Sequence, residues 1–418
     1  MLKRWTSIGV ALVVAVSLVV VFLARYAKPA AAEKTGTFVI GAITPMSGLG
    51  ASWGIPQTKG LGMAVDSINK AGGVRIGDTH YAIDLKLMDS KLDTAEAVSC
   101  CHKLIEQYKV KAIFTSDSAA GVAIRDIRDA AKVIGMDSGW SRDISKGTKY
   151  QFRFQPGSYE TSLALYRYIK KIDGPGTKIA VLDPDYEGGW ADTNYVKSWA
   201  KKYNLDLVFS EFYTPGTKDF TPILTKLLRK KPSYIDAGCS GGDYPILIKQ
   251  AYDMGYRGTL IYKGDTMVRD MLEIAGPERA FGVHATFGLL DFVSKKATSE
   301  QRAVYKKVME TVGYVNTLLF TSYDGVFMLK QAWEGSGSLD ADVVCNWLRT
   351  HEWHSIARGE NIRVAPEAAG IYHGNKGCAT TAPVSLVQMR PGGIYESWCL
   401  EAPEWESEFH EPPKNIKK

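Results

Sequence analysis

The chain has 418 residues, 45% of them hydrophobic and 23% charged, which is ordinary globular composition with enough length for two or three domains. This excludes a disordered, collagen-like or multi-span membrane protein. The net charge is +6, but Lys3, Arg4, Arg25 and Lys28 supply four of those charges. The body is therefore nearly neutral, and nucleic-acid binding through bulk charge is not expected.

The N-terminus reads as an export signal over residues 1–32. Lys3 and Arg4 are followed by an apolar run from Ile8 to Leu23, broken only by Gly9 and Ser17, and then by the small-residue site Pro29-Ala30-Ala31-Ala32. Cleavage is expected before Glu33, which makes the mature chain an exported one. The alternative is a retained anchor, although the run falls short of the roughly 20 residues of a membrane span. No Cys precedes Cys100, so a lipid-attached N-terminal Cys is not expected. Six cysteines are compatible with an oxidising compartment. Two of Cys345, Cys378 and Cys399 can pair. Cys100 and Cys101 are adjacent on a helical stretch and read as buried small apolar side chains. No C-x-x-C occurs, so zinc has no signature, and neither metal nor cofactor is expected.

Strand-like and helix-like stretches alternate from Thr37 onward. Phe38–Ile43 reads as a buried strand, followed by a loop from Thr44 to Pro56. Leu61, Val65 and Ile68 share a helical face that Gly72-Gly73 terminates. Tyr81, Ile83, Leu85 and Leu87 alternate as a strand, and Ala97, Cys101, Leu104, Ile105 and Tyr108 form a helical stripe. Short strands follow at Ala112–Phe114 and Val133–Met136, with a helix between. Such alternation predicts an α/β unit with a parallel sheet. After Gly174-Pro175-Gly176 the pattern restarts. Strands are predicted at Ile179–Leu182, Leu205–Phe212, Tyr234–Ala237 and Leu260–Tyr262, with helices at Trp190–Tyr203, Phe220–Leu228 and Tyr244–Met254. Helices return at Glu300–Val312 and Leu318–Glu334, and the Gly- and Pro-rich tail from Ala365 reads as strand and loop.

Ligands of open α/β sheets bind outside the carboxyl ends of the strands. In the first half those loops are Thr44–Gly54, Thr115–Gly121 and Asp137–Ser141. In the second they are Asp183–Gly189, Gly238–Asp243 and Lys263–Thr266. Hydroxyls, small residues, aromatics and carboxylates dominate them. Ser118 and Ser141 can hydrogen-bond a ligand, Asp265 can pair with a cation, and Trp53 and Tyr186 can cover apolar groups. Taken singly, such Ser and Asp residues are ordinary helix caps and Trp53 or Trp140 ordinary packing. The functional reading rests on six loops sharing two sheet edges.

The chain from about Thr37 to Val387 resembles the type I periplasmic substrate-binding proteins of ABC importers, in the branch for leucine, isoleucine, valine and amides. Gly41-Ala42-Ile43-Thr44-Pro45-Met46-Ser47-Gly48 with Trp53-Gly54 carries the resemblance, together with the Gly60 to Val74 segment, Asp185-Tyr186-Glu187-Gly188, Phe220-Thr221-Pro222 and Gln250-Ala251. The resemblance implies two Rossmann-like lobes joined by three crossing segments: 36–152 plus 284–364, and 153–283 plus 365–400, with a tail at 401–418. It also implies a monomer that captures a small amino acid, amide or related solute and delivers it to an ABC permease in the inner membrane, without chemistry. By position it implies that Ser118 and Ala119 hold a carboxylate, that Gly139 and Ser141 add to that site, that Asp265 takes an ammonium, and that Trp53, Trp140, Tyr186 and Ser240 border the pocket. Asp137-Ser138-Gly139-Trp140-Ser141 departs from the family's usual run. Leu92 and Asp117 stand where amino-acid binders of this branch carry a disulfide. Both departures put branched-chain specificity in doubt and keep amide, urea-like and aromatic ligands open.

Two rivals come from other classes. Gly238-Cys239-Ser240-Gly241-Gly242 fits G-x-S-x-G between a strand and a helix, with Asp265 and later histidines in order for a secreted serine hydrolase. A sensory module anchored by Ile8–Leu23 is the other. Gly48-Leu49-Gly50 with Gly54 is similar to a dinucleotide turn but is spaced one residue too long. His351-Glu352-Trp353-His354 lacks zincin spacing and reads as a solvated helix end.

Overall fold

The computed structural model describes residues 34–155, 157–238, 242–263, 271–276, 278–279, 283–286, 297–313, 316–357, 359–362, 384–390 and 394–400. The expected export signal, the tail beyond 400, Ser240, Asp265 and Cys378 lie outside them. Within the described residues no helix is long and apolar enough to cross a membrane.

The first sheet holds β1 (Lys34–Thr44), β2 (Val74–Ile76), β3 (Thr79–Asp89), β4 (Ala112–Thr115), β5 (Ile134–Asp137) and β6 (Gln151–Arg153), in the order β2-β3-β1-β4-β5-β6. All neighbours are parallel except the β2–β3 hairpin at the edge. Side chains alternate across it. Phe38, Ile40 and Ala42 join the core under α1 (Ala51–Lys70), and Ile43 joins the core under α2 (Thr94–Glu106) and α3 (Ser118–Ala130). Strands buried on both faces explain the near-continuous apolar runs.

The second sheet holds β7 (Lys178–Pro184), β8 (Asp206–Tyr213), β9 (Tyr234–Asp236), β10 (Thr259–Tyr262), β11 (Val283–Thr286), β14 (Val384–Arg390) and β15 (Ile394–Leu400), in the order β15-β14-β11-β10-β9-β7-β8. Ile179 and Val181 face the core shared with α4 (Ser158–Asp173) and α5 (Glu187–Lys202). Ala180 and Leu182 face α6 (Thr221–Leu228) and α7 (Tyr244–Asp253). β12 (Trp353–Ser355) and β13 (Glu360–Ile362) form a separate small hairpin.

After β11 the chain returns to the first lobe. There α8 (Ser299–Thr311), α9 (Thr317–Ser336) and α10 (Ala341–Thr350) contribute Val308, Phe320 and Leu348 to the same core as Phe38 and Leu61. α1 and α9 cross closely at Gly60, where a Cβ would meet the Leu319 backbone oxygen at 2.1 Å. The chain then goes back to the second sheet for β14 and β15, so it passes between lobes three times.

Several expectations need correction. The loop expected over Thr44–Pro56 is shorter, because a 3-10 turn at Gly48–Gly50 runs into α1 and puts Trp53 and Pro56 inside the helix. The boundary expected at 283/284 falls inside β11 of the second sheet, and the one at 152/153 falls inside β6 of the first. α4 has no counterpart in the expected elements, and of α10 only the end at His351 is expected. Cys100 and Cys101 are buried free thiols, and burial pushes Cys101 up to about 11. Cys345 is buried in the first-lobe core. His351 is the exposed residue closing α10 and lies parallel to the Trp347 ring, whereas Trp353 is buried in β12.

Candidate ligand-binding site

Without the β2 hairpin and the antiparallel additions, both sheets have the doubly wound order in which the first strand lies between the second and third. A crevice opens at that switch point, where the connections leave for opposite faces. In the first lobe it lies between the loops after β1 and β4, and Thr44 Oγ1 sits 2.5 Å from Ser116 Oγ there. In the second it lies beyond Pro184 and Asp236. The two edges meet. Trp53 of α1 stacks on Tyr186, which precedes α5, with ring centroids 6.1 Å apart and an interplanar angle of 23°. Ser141 Oγ donates to Glu187 Oε1 at 3.0 Å, a bond between lobes.

The loop after β4 is organised by Asp117. As N-cap of α3 its carboxylate accepts from the Ala119 N–H at 3.0 Å and the Ala120 N–H at 3.2 Å. These are the donors that a helix start offers an anion, and Asp117 already holds them. Ser118 Oγ accepts from the Trp140 and Ser141 N–H groups at 2.8 and 3.2 Å, tying this loop to the one after β5. Gly139 lets the two loops approach, because a Cβ there would meet Ile144 Cδ1 at 2.5 Å and the Ser118 backbone at 3.1 Å. The Ala119 N–H caps its own helix, Gly139 is a packing glycine, and the Ser141 hydroxyl accepts from Asp143 N and bonds Glu187.

Two spaces lie at the junction. An inner cavity of about 20 Å³ is bordered by Ser116, Asp117, Ser118, Ser138, Gln155 and the Trp53–Tyr186 pair, with Trp140 also on its wall. An outer cleft of about 440 Å³ lies on the other side of the same pair, between Leu49 and Leu92 of the first lobe and Pro215 and Lys218 of the second. Trp53 and Tyr186 border both spaces. Gln155 escaped the sequence reading because it follows β6, a three-residue strand with no apolar run. Its Nε2 donates to Ser138 O at 2.8 Å, and its buried Oε1 has no partner among the described residues. In the sequence Ser138 reads only as part of a loop.

Beneath the second-lobe edge lies a charged cluster. Lys263, fully buried just after β10, donates to Asp192 Oδ1 at 2.9 Å, Asp236 Oδ2 at 3.0 Å and Ser162 Oγ at 3.0 Å. Asp183 is buried close by and accepts from Thr193 Oγ1. Burial pushes the Asp236 carboxyl up to about 6 against the pull of Lys263, and burial with Asp192 pushes Asp183 well above the usual range. Burial alone would lower Lys263, but the carboxylates outweigh it and hold the ammonium above its ordinary value. Among the described residues no group of side chains is arranged to hold a metal ion.

Trp53, Ser118, Trp140 and Tyr186 are therefore brought to one place, with Ala119 on the outer cleft and Ser141 at the lobe contact. Ser240 and Asp265 lie outside the described residues. Two doubly wound lobes facing each other across a lined cleft define a two-lobed α/β ligand receptor. The chain belongs to the periplasmic binding protein family, whose pattern it matches over residues 37–383. It is 27% identical over 331 residues to a Pseudomonas aeruginosa protein named "Amino acid binding protein", covering 76% of this chain and 84% of that one. It is 26% identical over 277 residues to Leu/Ile/Val-binding protein homolog 8 of Brucella abortus, covering 60% and 68%. Among solved structures it resembles the branched-chain amino acid transporter substrate binding protein LivJ of Streptococcus pneumoniae in complex with isoleucine. The TM-score is 0.74 at 20% identity, covering 88% of this chain and 100% of that one. A solute binding protein of an ABC transporter from R. palustris in complex with benzoate gives 0.72 at 18% identity, covering 88% and 96%.

Proposed function

We propose that this protein is the extracytoplasmic solute-binding component of an ABC importer. It captures a small amino acid, amide or aromatic solute between its lobes and presents the closed form to a permease in the inner membrane. It acts as a monomer in the periplasm and leaves the ligand chemically unchanged. The observation that carries this reading is the cleft at two facing switch points, bordered by both lobes and spanned by the Trp53–Tyr186 stack. A ligand that touches both lobes only when they are closed shifts the population toward the closed form. The relatives named as amino-acid binders and the neighbours holding isoleucine or benzoate support a small organic solute.

The test is a thermal-shift panel of amino acids, amides, urea, aromatic acids and amines on the mature chain. At 100 times Kd a ligand selective for the folded state adds about 2.7 kcal/mol. The expected result is a shift with one chemical class, the ligand recovered intact and Trp53→Ala weakening it. No shift across the panel, with turnover of an ester that Ser240→Ala abolishes, would replace the binder with a hydrolase.

A further inference from the structure

We propose, resting on that reading, that the inner cavity receives a terminal ammonium on an apolar body rather than a carboxylate. The first reason is that four backbone donors of these two loops are spent. The N–H groups of Ala119 and Ala120 go to Asp117, and those of Trp140 and Ser141 go to Ser118 Oγ. An incoming carboxylate would find of these backbone and hydroxyl groups only the Ser118 N–H and O–H, since the Ser118 oxygen already accepts twice.

The second reason is that acceptors are left over. Gln155 is 3% exposed and its Oε1 has no partner on the cavity wall, while its Nε2 bond to the Ser138 carbonyl fixes which end of the amide is the oxygen. Ser138 Oγ donates to Thr115 O, so it too has only lone pairs to offer. A buried acceptor left unsatisfied is costly, and a ligand donor removes that cost.

The third reason is charge. Asp117 is 3% exposed and makes no ion pair among the described residues. Burial chiefly, and Glu187 across the junction, push its carboxyl up. A cation between them relieves both effects. Size agrees, because the cavity of about 20 Å³ matches one water or one ammonium. Trp53 and Tyr186 offer ring faces on the way in, and the outer cleft beyond them, walled by Leu49, Leu92 and Pro215, suits the apolar body.

Isothermal titration of the full mature chain with benzylamine and with benzoate, two probes of one shape and opposite charge, tests this. Benzylamine is expected to bind at least about tenfold tighter than benzoate. Asp117→Asn keeps a good N-cap and is expected to lose at least about tenfold of benzylamine affinity while its melting temperature stays close to that of the parent. Gln155→Leu, which keeps the volume and removes the acceptor, is expected to weaken the amine in the same direction. Tighter binding of benzoate, or benzylamine affinity unchanged in Asp117→Asn, overturns the inference. Silence from benzylamine with a shift from another class in the wider panel also overturns it and leaves the importer reading standing. Silence from the whole panel overturns both.

Discussion

The two lobes share a strand order and differ in how they bury charge. Glu160, on α4 of the second lobe, is served by two arginines of the first, with Arg153 at 2.7 Å and Arg142 at 3.8 Å. Burial pushes the Glu160 carboxyl up, but the two cations outweigh it and hold it below its ordinary value. Asp137 has one close partner, Arg128, bound through both oxygens at 3.0 and 2.9 Å, and there burial wins and the carboxyl stays above its ordinary value. In the second lobe one lysine serves Asp183, Asp192 and Asp236, and Asp236 and Asp183 are pushed up. The ratio of cations to carboxylates orders the three cases. Fixed charge dominates where arginines suffice, and a stored proton replaces the missing cation where they do not.

Removing the cation of the buried second-lobe cluster should have the largest effect. Lys263→Met strands three buried carboxylates and is expected to cost at least about 3–5 kcal/mol at pH 7 in urea unfolding. The loss should shrink at pH 5, where those groups take up protons. Arg128→Met strands one carboxylate and is expected to cost less. Equal losses from the two variants would break the comparison.

The pH dependence sharpens it. An unfolded Asp titrates near 3.9, and in the fold Asp236 titrates at about 6. Between those values the folded chain binds more protons than the unfolded one, so this group's contribution to stability falls as pH rises from about 4 to about 6 and is level above. Asp236→Asn removes the titration and keeps acceptor oxygen for Tyr166 and Lys263. The variant should gain stability relative to the parent across that window, up to about 3 kcal/mol. A constant difference between them from pH 4.5 to 7.5 would show that the proton is not stored there.

What the sequence revealed follows from which physical signal each part carries. β1, β7 and their neighbours are buried on both faces and appear as apolar runs. α1 was legible through Leu61, Val65 and Ile68, but its first two turns were hidden by Gly48, Gly50, Gly54 and Pro56, which read as loop until the packing of Trp53 is seen. α4 lacks a clean stripe because Thr161, Ser162, Leu165 and Tyr166 are all buried, some against charge and some against aliphatic side chains. The site loops were found because topology puts them at strand ends. The role of Ala119 is not legible there, since a cap that satisfies its own helix and a helix start waiting for an anion look alike in sequence. Lys263 was visible only as a loop residue, because its three carboxylates come from β7, α5 and β9, up to 80 positions away.

The smallest expected effect lies at the contact between the lobes, where neither charge pattern operates alone. Ser141 brings a hydroxyl from the first lobe and Glu187 a carboxylate from the second. Ser141→Ala removes the part-buried bond to Glu187, worth about 1 kcal/mol, or about fivefold in the closing equilibrium, together with the bond from the Asp143 N–H that caps the following turn within the first lobe. A ligand that binds only the closed form should weaken by the same factor, with the strand cores untouched. Glu187→Gln keeps an acceptor for Ser141 but removes charge that acts on Asp117. If the contact works through the hydrogen bond, Ser141→Ala weakens every ligand and Glu187→Gln weakens few. If it works through charge, Glu187→Gln changes the preference between benzylamine and benzoate, and Ser141→Ala leaves that preference as it was. A double-mutant cycle on the pair separates the two, because only the bond gives a coupling energy between the residues that is the same for both probes.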